Sequence, residues 1–158
     1  MATDTIERQD IHSFEIRKEI AINAPVEIAF QAVLDELGPD GQTMEGQSLS
    51  MKLEPWPGGR WYRDLGNNTG HLWGHVQVIK PPTLLEITGP MPMSYPAVNH
   101  VQYGLKANSG GATLLTFVHR AMGLILPEHR DGMPEGWQHW LERMRERAEN
   151  RYGKETRR

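Results

Sequence analysis

The sequence predicts an α+β fold in which a seven-stranded antiparallel sheet presents a concave face to one long C-terminal helix. Three observations predict it. Residues 134–152 repeat apolar side chains (Trp137, Trp140, Leu141, Met144, Ala148 and Tyr152) at three- and four-residue steps, so one helix face is apolar. Upstream, seven segments alternate apolar and polar residues with period two, the signature of half-buried strands. Eleven prolines and sixteen glycines cut the chain into short elements suited to such a sheet.

Residues 1–12 are polar and read as a flexible N-terminal segment, residues 13–153 as a single domain and 154–158 as a charged tail. The first strand carries Phe14, Ile16, Ile20 and Ile22 on one face, and Lys18 interrupts that face as an edge strand or strand end would allow. Asn23-Ala24-Pro25 then starts a helix, with Asn23 or Ala24 as cap and Pro25 at the first helical position. Its apolar face is Val26, Ala29, Phe30, Val33, Leu34 and Leu37, and Gly38-Pro39 ends it. Residues 39–47 read as a flexible loop. Leu49, Met51 and Leu53 mark the second strand, followed by strands over 60–65, 72–80, 84–88, 98–106 and 113–121. In the last helix Pro134 suits the first position and Gly153 the stop.

Hairpin registers follow from placing apolar residues opposite one another. Across Ser109-Gly110, Leu105 pairs with Leu115, Tyr103 with Phe117 and Val101 with His119, which turns His119 to the apolar face and His100 away. Across Pro81-Pro82, Val78 pairs with Leu85 and Val76 with Ile87. Across Asn68-Thr69, Trp61 pairs with Val76 and Leu65 with Leu72, so Arg63 faces inward opposite Gly74 and Trp73 outward.

Composition narrows the function classes. Seventeen basic against twenty acidic residues give a net charge of -3, and the C-terminal arginines alternate with glutamates, so no nucleic-acid partner is expected. The absence of cysteine removes disulfides, thiolate nucleophiles and cysteine metal sites, and fits a reducing cytoplasm. No apolar run approaches the ~20 residues of a membrane helix, and the N-terminus lacks the apolar core of a signal peptide. His71 and His75 stand about 13 Å apart on a strand, too far to share one metal ion, so no metal is expected. Nor is a cofactor: no loop would cradle phosphate, and no serine sits in a nucleophile elbow.

The candidates for chemistry are polar groups on the inferred inner face. His119 reads either as an acid/base group in an apolar setting or as a histidine bonded to a neighbouring backbone group or tyrosine. Arg63 could hold a carboxylate or enolate oxygen with its planar fork, or lie in solvent if the register slips. Trp61, Tyr103, Phe117, Trp137, Trp140 and Met144 form a bulky set that serves as packed core, as the wall of a ligand site, or as both.

Several strings also resemble a known family. Ile22-Asn23-Ala24-Pro25-Val26-Glu27-Ile28-Ala29-Phe30 resembles the opening of the SRPBCC (START-like) superfamily, and Pro57-Gly58-Gly59-Arg60-Trp61 its glycine–aromatic step. Gly74-His75-Val76, Pro81-Pro82-Thr83-Leu84-Leu85, Gly111-Ala112-Thr113-Leu114-Leu115 through His119, and Gly136-Trp137 follow in the family's order. Together, over residues 14–152, they are similar to the Aha-type, polyketide-cyclase-like branch. The resemblance implies a helix-grip fold: a curved sheet around the C-terminal helix, short helices after the first strand, and a cavity between sheet and helix. It also implies a small hydrophobic or aromatic ligand. The alternatives are a cyclase-, dehydratase- or isomerase-type enzyme, with His119 moving a proton and Arg63 stabilising an oxyanion, or a co-chaperone-like interaction module. Trp73 on the outer face would favour the module, and a homodimer is compatible with each reading. Residues 39–47 lack the tryptophans that many members carry there, and the length leaves no room for the co-chaperone's extra chaperone-binding domain.

Overall fold

The computed structural model describes residues 4–157, so residues 1–3 of the expected N-terminal segment and residue 158 of the expected tail lie outside it. The chain runs β1 (His12–Ile22), α1 (Val26–Leu37), β2 (Met51–Leu53), β3 (Arg60–Gly66), β4 (Thr69–Lys80), β5 (Leu84–Gly89), β6 (Ala97–Ala107), β7 (Thr113–Gly123) and α2 (Pro127–Thr156). The strands form one antiparallel sheet in the order β1-β7-β6-β5-β4-β3-β2, with α1 and α2 packed against each other and on the inner face. This is the helix-grip architecture, with a single helix filling the insertion after β1. Lys18 does lie on an edge strand, where its Nζ donates to Gln138 of α2 at 3.1 Å.

Alternation along β6 and β7 buries Val101, Tyr103, Leu105, Leu115, Phe117 and His119, and their pairing follows the expected register. The β4–β5 register holds only in part. Val76 opposes Ile87, but a bulge at Gln77 moves Val78 opposite Glu86 and brings Ile79 to Leu85. The β3–β4 register differs from expectation. Trp61 opposes Gly74, Tyr62 opposes Leu72 and Arg63 opposes His71, leaving Trp73 as an extra residue in the ladder. A one-residue bulge inverts the facing of every side chain beyond it. Trp73 therefore turns inward onto Trp61 and Trp140, with ring centroids 5.2 and 6.2 Å away, while Leu72 turns out to solvent. Gly74 tolerates the crowding at this point, because a Cβ there would come within 2.8 Å of the Ile87 side chain.

α1 begins one residue later than expected, with Pro25 as the cap. α2 is longer than the pattern at 134–152 suggests. Pro127, not Pro134, occupies its first turn, and Gly153 continues the helix. Pro134 cannot donate to the carbonyl of Arg130, but that residue is exposed and water can serve it. At the far end the Thr156 hydroxyl donates to the Tyr152 and Gly153 carbonyls, replacing the glycine stop.

α2 has two unequal parts. Residues 127–136 include no buried side chain, whereas Trp137, Trp140, Leu141, Met144 and Ala148 are buried against the sheet and α1. Each buried indole contributes roughly 4–6 kcal/mol of gross apolar burial. The second part is also clamped by charge. Glu36 of α1, only 1% exposed, accepts from Arg143 at 3.0 Å and from Arg147 at 2.7 Å. A carboxylate at that depth persists because two guanidiniums satisfy it. Replacing Glu36 with Ala removes both pairs at once. Urea titration should then show a loss of about 2–3 kcal/mol with an unchanged slope; a loss below ~0.5 kcal/mol would mean that the clamp holds nothing.

Candidate functional site

Where the Trp137 turn of α2 meets the open end of the sheet, side chains leave a chamber of about 200 Å³. Trp137, Gly136 and Met133 supply its helix wall, Trp73 of β4 the sheet wall, and Met91 and Pro92 one rim. Loop residues Gln42, Thr43 and Met44 close the other rim. That loop is held in place: Thr43 N–H donates to the Gln47 carbonyl at 2.8 Å, and the Gln42 carbonyl accepts from His139 Nε2 at 3.3 Å and Trp140 Nε1 at 3.4 Å. The rim at Met91 is pinned to the sheet, since its N–H donates to the Trp73 carbonyl at 2.9 Å. No arginine, lysine, aspartate or glutamate lines the chamber.

The residues expected at a ligand site divide between wall and packing. Trp137 and Trp140 line the chamber. Trp61, Tyr103, Phe117 and Met144 do not; they are fully enclosed beneath it. Trp61 donates its indole N–H to the Leu37 carbonyl at 2.7 Å. Tyr103 packs on Phe117 at 5.1 Å, and Phe117 on Trp137 at 4.6 Å. The Tyr103 hydroxyl has no hydrogen-bond partner, and burial pushes its pKa well up.

His119 is on the inner face but not on the chamber wall. Trp137 Nε1, which can only donate, reaches His119 Nδ1 at 2.9 Å. Nδ1 must therefore carry the lone pair and Nε2 the proton, which goes to Asn99 Oδ1 at 2.7 Å. Asn99 Nδ2 in turn donates to the Pro90 carbonyl at 3.2 Å and to Met93 Sδ at 3.5 Å. His119 is thus a neutral link between the helix wall and the loop that carries Met91. Both nitrogens are engaged, the ring is fully buried, and burial lowers its pKa to about 4.

Arg63 is not brought to His119. The bulge at Trp73 places it opposite His71, where its Nε donates to the Leu49 carbonyl at 3.0 Å in a depression along the β3–β4 hairpin. The expected pairing of His119 as proton shuttle with Arg63 as oxyanion support is not assembled. Trp73, expected on the outer face, is a wall residue, so the interaction reading loses the feature that favoured it. The bulge left no mark in the sequence. Met91 and Met93 were the better clue: an apolar Pro-Met-Pro-Met loop is unusual at a surface, and Met91 and Met93 are buried. A second concavity, about 310 Å³ between α1 and α2, is lined by Arg143, Arg147, Arg151 and Lys154. Its arginines are already paired with Glu36, Asp35 and Asp40. No group of three or more metal-ligating side chains occurs among the described residues, and no helix among them is long and apolar enough to cross a membrane.

Residues 23–149 match the family model described as activator of Hsp90 ATPase homolog 1-like protein. The chain belongs to that family. The match starts two residues before the cap of α1 and ends within α2, so it takes in both chamber walls and the helix clamp. No curated protein matches this member of the family. Solved structures share its fold. An uncharacterised protein from Rhizobium leguminosarum superposes with a TM-score of 0.71 at 17% identity, covering 91% of this chain and 99% of the other. CalU16 from Micromonospora echinospora gives 0.55 at 20% identity over 87% and 81%. DynU16, a protein of the dynemicin biosynthetic locus, gives 0.60 at 18% identity over 84% of this chain and 46% of its own.

The neutral His119 ties stability to pH. Its pKa is about 4 in the folded chain and about 6.5 when unfolded. The unfolded state therefore takes the proton first as the pH falls. The stabilisation is complete above pH ~6.5 and is lost toward pH ~4, a change of about 3 kcal/mol. His119→Gln, compared with the parent by urea titration at pH 7 and pH 4.5, should show a smaller acid destabilisation. Equal losses in the two proteins would mean that His119 is not the linked group.

Proposed function

We propose that this protein binds a small hydrophobic or aromatic molecule in the chamber between β4 and the Trp137 turn of α2. One observation carries the reading: a recess of about 200 Å³, open to solvent, is walled almost wholly by aromatic and other apolar side chains. Aromatic walls left facing water forgo the stabilisation that burial would give them, so a partner that covers them is favoured. Gly136 makes the contrast sharper. It lines the chamber in mid-helix, where glycine costs about 1 kcal/mol relative to alanine, and a Cβ there would touch nothing within 4 Å. The volume is small beside the 300–1,000 Å³ typical of drug-sized sites, so the molecule has one or two rings rather than a long chain. Membership of the family and the fold shared with CalU16 and DynU16 support a cavity-binding role in general. The cyclase-type alternative lacks an assembled acid/base pair at this chamber.

Gly136→Leu provides the test. The new side chain enters the chamber without a backbone clash and improves helix propensity, so the variant should fold with equal or higher thermal stability. Naphthalene should raise the melting temperature of the parent and quench its tryptophan fluorescence, and Gly136→Leu should abolish both effects. Binding that survives in Gly136→Leu would place the guest elsewhere, and no binding to the parent would remove the reading.

A further inference from the structure

We infer that the guest of this chamber is neutral and carries a hydrogen-bond acceptor, a ketone-like oxygen, that meets the indole N–H of Trp73. This rests on the chamber being a binding site and adds the chemical class of what it takes.

The four inward tryptophans supply the contrast. Trp61 Nε1 donates to the Leu37 carbonyl at 2.7 Å, Trp137 Nε1 to His119 at 2.9 Å, and Trp140 Nε1 to the Gln42 carbonyl at 3.4 Å. Trp73 Nε1 is shut off from solvent and has no partner. A buried N–H left without an acceptor costs about 1–3 kcal/mol, and native interiors seldom keep one. The indole that bears it is also the sheet wall of the chamber. Trp73 as a whole is only partly buried, and its ring is held by aromatic contacts to Trp61 and Trp140 rather than by a polar anchor. A small turn of the ring therefore presents the N–H to a guest lying against it.

The rest of the wall excludes other chemistries. A charged guest would give up its hydration to a surface with no side chain of opposite charge. Apart from His139, which is already bonded to the Gln42 carbonyl, no titratable side chain faces the chamber. Beyond His139, only Gln42 and Thr43 on the rim offer polar side chains, too few for a guest rich in hydroxyls. A flat ring system with one carbonyl satisfies the Trp73 donor and presents apolar surface everywhere else. The chain's role is then to recognise a neutral aryl ketone or a close relative in shape and polarity.

Indane and 1-indanone share one ring skeleton and differ by the carbonyl. Calorimetric titration of both into the parent and into Trp73→Phe forms a thermodynamic cycle. Phenylalanine keeps an aromatic wall and removes the donor. Loss of one partner of a buried hydrogen bond should weaken 1-indanone about tenfold while changing indane less than about threefold. Equal weakening of the two compounds would overturn the inference and leave the chamber reading intact. Failure of both compounds to bind the parent would remove the chamber reading itself, and binding of indane without 1-indanone would overturn only the inference. The parent alone gives an independent readout should Trp73→Phe not fold. In its proton–nitrogen spectrum one of the five indole N–H signals should move downfield with 1-indanone and not with indane, and a spectrum in which no indole signal distinguishes the two compounds would overturn the inference.

Discussion

The hydrogen bond from Trp137 to a neutral His119 is the constraint on which the rest of this structure depends. It joins the middle of α2 to β7 at a depth where neither group could be left unpaired. Through Asn99 it also fixes the loop that carries Met91. The helix wall of the chamber and its Met91 rim are therefore set by one polar chain, which has a single consistent set of donors and acceptors. A protonated imidazole would turn Nδ1 from acceptor to donor and oppose the Trp137 N–H. Burial prevents this by depressing the pKa, so depth and tautomer reinforce each other.

Around this link the helix is held unevenly. From Trp137 onward α2 is fastened by buried aromatics and by Glu36 gripping Arg143 and Arg147. Before Trp137 it has no buried side chain, and Gly132, Pro134 and Gly136 give that part low helical propensity. The chamber lies at the boundary between the two parts. A rigid floor of Trp61, Phe117 and Met144 beneath a lightly attached roof is a physical arrangement suited to admitting a guest without disturbing the core.

Much of this was legible in the sequence because strand alternation and helix periodicity act locally. The strand set, the edge position of Lys18, the β6–β7 register and the inward facing of His119 all follow from which residues must leave water. The histidine is bonded on both nitrogens, as its second reading has it, but to the Trp137 and Asn99 side chains rather than to a backbone group or tyrosine. What escaped was non-local. The bulge at Trp73 is fixed by the fit of Trp61 against Gly74 across two strands, and a period-two reading assumes no such interruption. That one residue set Arg63 opposite His71 instead of Gly74 and brought Trp73 into the chamber wall. The division of the tryptophans into packed and chamber-lining members depends on the loops at 42–44 and 91–93, whose composition gives no period to read.

Crystals exposed to xenon under pressure test the central claim most directly, because xenon occupies apolar cavities without requiring any particular chemistry. An open chamber predicts a xenon peak in contact with Trp73, Trp137 and Met91, and none among Trp61, Tyr103 and Phe117. A chamber without xenon, with Trp140 or Met133 folded into the space, would contradict it.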